Sequence, residues 1–378
     1  MVNEQRLLQL FIRLVETDSP SGKEGKLRDL LREEFQRLGY QAVEDGAADL
    51  LGGDTGNLLV TVPGTLDTGS LLFVAHMDTV QPGVGVKAKV EGDRITSAGE
   101  TILGSDDKAA IAAMLEALEV LREQGLPHPP LEYLFTVSEE QGLMGSKVFD
   151  FSRVRSRLAY VLDSGGEPGC IVVQSPCQNE IEYTVYGKAA HAGISPEQGI
   201  NAIQAAAGAL AVMPCGRIDA QTTCNFGTIE GGVARNIVAP SCRIKGEARS
   251  LKREYLDAIT DELVQIFTRT VEASGAQAEV EVKFLYPEMR LDPLEEVVEL
   301  AVTAAQNIGL DPQLVSTGGG SDASMVNGAG IRCANLATGM CSVHTTDEYI
   351  LIKDLIDDAR LVLAIIEQAG RKWMQVTR

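Results

Sequence analysis

An apolar run, Leu71-Leu72-Phe73-Val74-Ala75, stops abruptly at His76, and Asp78 follows two residues later. Five apolar residues without alternation fit a strand buried on both faces, as in the middle of a parallel sheet. A sheet of that kind needs helices on both sides, which points to the α/β class. The last side chains of such a strand reach the carboxyl edge of the sheet, where open α/β folds bind ligands. Positions i and i+2 of a strand face the same way. His76 and Asp78 can therefore meet, an imidazole metal ligand beside the carboxylate that orients it.

A chain of 378 residues is long enough for about two domains. Up to about residue 175, helices and strands alternate. Residues 3–17, 24–38 and Ala109–Gln124 have helical patterns, and 57–62, 71–75, 131–137 and 159–162 have strand patterns. This predicts a mixed, mostly parallel sheet with helices on both faces. Near residue 178 the texture changes. Strands at Ile181–Tyr186, 222–229, 240–249 and 278–285 enclose helices at 197–212 and 252–273. That order, β-α-β-β-α-β, is the ferredoxin-like split arrangement. The α/β pattern resumes with a helix at 293–308, a strand near 332–336 and a helix from Ile352 to Lys372. The predicted division is a discontinuous catalytic domain, 1–178 and 288–378, with an inserted α+β domain at 179–287.

The net charge of −20 argues against nucleic acid and anionic membrane surfaces as partners, since both select basic patches. The seven cysteines include no CxxC pair and read as reduced thiols of a cytoplasmic protein, not zinc ligands. Leu7, Leu10, Phe11, Leu14 and Val15 recur at helical spacing between charges, an amphipathic helix and not a signal peptide. No run approaches the roughly 18 apolar residues of a membrane span.

Four further motifs carry chemistry. Gly104-Ser105-Asp106-Asp107-Lys108 leads into the Ala109 helix. Alone, its carboxylates have an ordinary use at a helix N-terminus. Val137-Ser138-Glu139-Glu140 ends an apolar strand, so one glutamate can face a metal while its neighbour moves protons. Val161-Leu162-Asp163 ends another strand, and His344 opens His344-Thr345-Thr346-Asp347-Glu348. His128, within Leu126-Pro127-His128-Pro129-Pro130, reads as an inert surface-turn histidine. Two imidazoles (His76, His344) and three carboxylates (Asp106, Glu140, Asp163) suit two divalent ions, Zn, Co or Mn, sharing one bridging carboxylate.

The motifs HxD, GSDDK, EE, LD and HTTDE, in this order, resemble the co-catalytic zinc peptidases that include carboxypeptidase G, aminoacylase-1 and peptidase T. The resemblance spans nearly the whole chain. Gly231–Val238 looks like the family's GGxxxN(V/I)V segment and Gly187–Gly193 like its histidine-bearing turn. It implies a phosphorylase/hydrolase-like catalytic domain with an inserted dimerisation domain. It implies that His76 and Asp163 hold one metal, that Glu140 and His344 hold the other, and that Asp106 bridges them, with a cis peptide at Asp106–Asp107. Asp78 would orient His76, and Glu139 would be the general base. His191 would reach the partner subunit's active site in a homodimer, while Asn236 and Arg249 would contact the substrate's polar end. Thr317-Gly318-Gly319-Gly320-Ser321-Asp322 resembles the GG(S/T)D segment of the peptidase T branch, where backbone amides near Gly320 and the Asp322 carboxylate would line the substrate pocket. The implied activity is tripeptide aminopeptidase, with N-acyl amino acid deacylase or carboxypeptidase as the alternative. Two departures, Lys188 where many deacylases carry Arg and Glu247 where many members carry Asp, leave substrate preference open.

Overall fold

The computed structural model describes residues 1–376, which divide into two compact units. The first comprises Met1–Gln174, Arg290–Thr317 and the described residues from Ser321 onward, and the second Ser175–Met289 with Gly318–Gly320. The three-glycine segment therefore packs with the inserted unit although its flanks do not.

Among the described residues of the first unit, the central sheet runs in the order Ala42–Glu44, Leu58–Val62, Leu131–Thr136, Leu71–His76, Leu158–Ser164, Arg332–Ala337, Cys170–Ser175. Its middle four strands are parallel. All six residues of Leu71–His76 and of Leu131–Thr136 are buried, as unalternating apolar runs require. Phe73 stacks on Tyr133 and Tyr160 at centroid distances of 5.9 and 5.8 Å, tying three strands together by aromatic packing. Helix Ser105–Gln124 crosses the sheet with an Ala-rich, almost wholly buried surface. Its regular part begins later than its first residue, because Asp106 and Asp107 have non-helical dihedrals. The Asp106–Asp107 peptide is cis.

The small sheet Tyr349–Leu351, Arg94–Ser97, Ala88–Glu91 was not predicted. Strands of three or four residues are too short to show a period.

In the second unit, five antiparallel strands run Gly216–Arg217, Thr222–Gly231, Ser241–Ser250, Cys177–Tyr186, Gln277–Tyr286. Omitting the two-residue strand, this is the ferredoxin-like order. Ile181, Tyr183 and Val185 point into a core shared with helices Ala202–Leu210 and Arg253–Ala273, while the intervening Glu182 and Thr184 do not. Tyr183 meets Phe267 at 4.7 Å. The first of these helices is shorter than predicted. Asn201 caps it by accepting from the Ile203 and Gln204 amides, and Pro196–Gln198 forms a separate turn.

All seven cysteines are free thiols, with Cys177, Cys224, Cys242 and Cys333 buried. No described helix is long and apolar enough to cross a membrane.

Candidate metal centre

Strands Leu131–Thr136, Leu71–His76 and Leu158–Ser164 lie side by side in parallel register, with His76 opposite Thr136 and Val74 opposite Val161. Their carboxyl ends therefore deliver His76, the Ser138–Glu140 turn and Asp163 to one edge. Asp106 enters from the start of its helix. His344 comes from the loop before Tyr349–Leu351, in a left-handed conformation at φ 64°.

These side chains converge. His76 Nε2 lies 2.9 Å from Asp106 Oδ1, and His344 Nε2 lies 3.2 Å from Asp106 Oδ2. One carboxylate thus offers a separate oxygen to each imidazole. His344 Nε2 is also 2.9 Å from Glu140 Oε1. Ligand atoms of His76, Asp106 and Glu140 lie within 4.8 Å of one another, as do those of His76, Glu139 and Asp163. The Glu139 carboxylate has no hydrogen-bond partner among the described residues, although the residue is only 9% exposed.

The supporting shell differs in one respect from expectation. His76 Nδ1 pairs with the backbone carbonyl of Asp78 at 2.9 Å, while the Asp78 carboxylate stands 3.5 Å away. That carboxylate has further partners. It accepts the amides of Glu139 and Glu140 at 2.8 and 3.2 Å and the Ser21 hydroxyl at 2.6 Å.

Three supporting groups escaped the sequence reading. Asp107 Oδ2 accepts the His76 amide. Glu348 accepts the amides of Gly104, Ser105 and Asp106 and the Ser105 hydroxyl, fixing the loop that presents Asp106. Asn335 brackets Asp163, accepting from its amide and donating to its carbonyl. Glu348 lay inside a recognised motif, but nothing local connects it to residue 105. Lys108 is buried and donates to the Thr17 carbonyl, and burial lowers its amine to about 7.

The electrostatics test whether cations suit this cluster. Burial, then the charge of Asp163, pushes Glu139 well above the usual carboxylate range. Burial and Asp106 do the same to Asp163. Burial opposes a charged His76, yet Asp106 and Asp78 override it and hold the ring well above its ordinary value. Asp106 and Glu140 raise His344 to about 10. Packed this way, the cluster must gather protons to limit repulsion between carboxylates. Divalent cations supply that neutralisation and leave neutral imidazoles and ionised carboxylates, the forms in which both ligate. The donor set fits such ions.

A family model described as Peptidase family M20/M25/M40 matches residues 72–368. The chain belongs to that family. Its sequence is 43% identical to aminopeptidase PepT from Bacillus cereus, whose crystal structure superimposes with a TM-score of 0.91 over 97% of this chain and 99% of that one. A tripeptidase from Staphylococcus aureus is 40% identical, with a TM-score of 0.95 over 98% and 100% of the two chains. Peptidase T of Escherichia fergusonii is 26% identical over 97% of this chain and 99% of its own length.

Of the remaining predicted site residues of this M20-family chain, Asp322 belongs to the first unit. It is 2% exposed, and its Oδ2 accepts the Thr136 hydroxyl at 2.5 Å, which places it beneath the strand ends. It lies close enough to Glu139 and Asp163 for its charge to raise the proton affinity of both.

His191, Asn236, Arg249 and Gly320 belong to the second unit. His191 is exposed, and its segment bridges to Ile237, with the Ala192 amide bonded to the Asn236 carbonyl. The histidine turn and the asparagine segment are therefore neighbours. Arg249 is gripped by both oxygens of Glu247 and donates to the Gly318 carbonyl at 3.2 Å. The departure at Glu247 is thus the group that orients Arg249. Gly320 has to lack a side chain, since a Cβ there would lie 2.3 Å from the Tyr286 ring.

His128 is buried and not a surface residue. Its Nδ1 pairs with the Pro129 carbonyl, and its own carbonyl accepts the amides of Thr65 and Leu66. A cavity of about 880 Å³ opens between the 61–70 segment, Arg155, Arg157 and Trp373. It lies at the amino ends of the parallel strands, not at the edge that carries the cluster.

Proposed function

We propose that the protein is a di-metal aminopeptidase that removes the N-terminal residue of short peptides, tripeptides above all. The observation that carries the metal chemistry is the Asp106 carboxylate, with one oxygen beside His76 and the other beside His344. Likeness to PepT and to a tripeptidase over almost the whole chain supports the substrate class.

His76 and Asp163 would hold one ion, Glu140 and His344 the second, and Asp106 both. Zinc suits the mixed nitrogen and oxygen donors best, with cobalt or manganese as alternatives. Bound divalent ions polarise a carbonyl and make water acidic near neutral pH. Glu139 takes the proton of the attacking water and returns it to the departing amine. Its lack of a competing hydrogen bond and its raised affinity for protons both suit that role. His191 donates to the developing oxyanion, while Asn236 and Arg249 grip the substrate's polar end. The amides around Gly320 complete the pocket wall.

Assay of free tripeptides, N-acylated amino acids and N-blocked peptides tests this reading. Free tripeptides are expected to be cleaved with the highest kcat/KM, releasing the first residue. Preference for N-acylated substrates would replace it with a deacylase.

We further propose a homodimer formed through the inserted unit, with His191 acting in the partner's site. Ile203, Val212, Ile229 and Val233 of that unit are 41–70% exposed, a surface that self-association would cover. Sedimentation is expected to show a dimer at working concentrations. A monomer of full specific activity would remove His191 from the mechanism.

A further inference from the structure

The Ser138–Glu140 turn is held by two carboxylates, and only one of them belongs to the metal motifs. Asp78 takes the amides of Glu139 and Glu140. The amide just before them, that of Ser138, goes to Glu24 Oε1 at 2.9 Å, and the Ser138 hydroxyl reaches the same oxygen at 3.2 Å. Three successive N–H groups are thus claimed by two acids.

Glu24 is an unusual residue for this place. It stands at the N-cap of helix Gly25–Leu38, where short polar side chains are favoured, yet its side chain makes no bond to that helix. It is fully buried, and its second oxygen has no hydrogen-bond partner. Asp78 lies close enough to raise its proton affinity further, after burial. Burying two like charges near each other works against stability, so a local rule is broken here beside a functional site.

Ser138 sits at φ 51°, a left-handed conformation that L-residues adopt only when their surroundings hold them. That conformation lets the chain leave strand Leu131–Thr136 and aim Glu139 into the cluster. The segment that carries Glu24 is itself clamped beside the site. The Thr79 amide bonds to the Ser19 carbonyl, Ser21 supports Asp78, and Gly22 donates to Glu24.

We infer that Glu24 is a positioning residue for the general base. By accepting both the amide and the hydroxyl of Ser138, it locks the left-handed turn that points Glu139 at the reacting water. The inference rests on the assignment of Glu139 as the base, but its conformational part does not.

Glu24→Ala is expected to lower kcat about 10–100-fold, the scale of a small misplacement of a reacting group. KM and metal content should stay near those of the parent. Glu24→Gln keeps an acceptor oxygen and should lose less. Adding Ser138→Gly to Glu24→Ala should recover at least about threefold, because glycine adopts positive φ unaided. Leu31→Ala, on the buried face of the same helix, serves as the control that loses stability and keeps kcat. A parental kcat in Glu24→Ala, or a double variant no better than Glu24→Ala, overturns the inference. If the parent itself cleaves no tripeptide, the peptidase reading fails instead, and amide exchange decides the rest. Glu24→Ala should then speed exchange selectively at Ser138, Glu139 and Glu140, and unchanged protection there overturns the inference. If the alanine variant does not fold, the same readouts are taken on Glu24→Gln, whose smaller effects must have the same sign.

Discussion

Glu139→Ala is expected to lower kcat by about 10²–10⁴-fold, the usual contribution of a positioned proton carrier. Metal content and circular dichroism should remain those of the parent. The expectation rests on two features; Asp163 shares them, but it is proposed as a metal ligand, which leaves Glu139 to move the proton. Glu139 has no hydrogen bond that must be broken before it moves a proton, and burial with Asp163 raises its proton affinity. A base poised nearer neutrality both takes and returns a proton more readily than an ordinary carboxylate. The substitution also has a testable sign for stability. Removing one buried carboxylate beside Asp163 relieves repulsion, so the metal-free variant should unfold no earlier than the metal-free parent. Rates within about tenfold of the parent would take Glu139 out of the proton-transfer step.

Asp106→Ala should behave differently, losing activity to background together with metal. Among the described residues, no other carboxylate pairs with both imidazoles. In the proposed centre its removal would take a ligand from each ion at once, and it leaves Glu140 and His344 without their common neighbour. The direct measurement is thermal unfolding with and without added zinc. For the parent, free metal at about 100 times Kd stabilises the fold by about 2.7 kcal/mol for each ion bound. For Asp106→Ala that increment should disappear. Glu139→Ala should keep it, so the pair separates a catalytic defect from a binding defect. An Asp106→Ala protein that still gains the full increment would show that the ions do not share this carboxylate.

Much of this centre was legible one segment at a time. Leu71–Ala75 followed by His76, and Ala159–Leu162 followed by Asp163, announce buried strands that end in candidate ligands, because apolar runs and strand period are local properties. The ferredoxin-like order of the inserted unit was visible for the same reason, since its strands alternate. The 88–97 hairpin and the strand Tyr349–Leu351 were not visible. They are too short for a period, and pairing with one another makes them strands.

The role of Asp78 shows where local reasoning stops. Spacing places it on the same face as His76, and its carboxylate stays 3.5 Å from that ring, but only the fold shows the three further donors that it accepts. Asp322 likewise follows a glycine run, and only the fold shows that it begins a short helix and accepts the Thr136 hydroxyl.

By itself, the sequence pointed to candidate metal ligands and a candidate base, and it determined the α/β class and the presence of an inserted α+β domain. These follow from residue type and periodicity within stretches of ten or twenty residues. Tertiary structure alone decided that Glu348 holds the loop presenting Asp106. It also decided that Glu24 grips the turn ahead of the base. The physical reason is that buried hydrogen bonds are settled by competition among every donor and acceptor the fold brings within about 3 Å. Neighbours in the chain cannot predict the winner when its rivals arrive from distant segments.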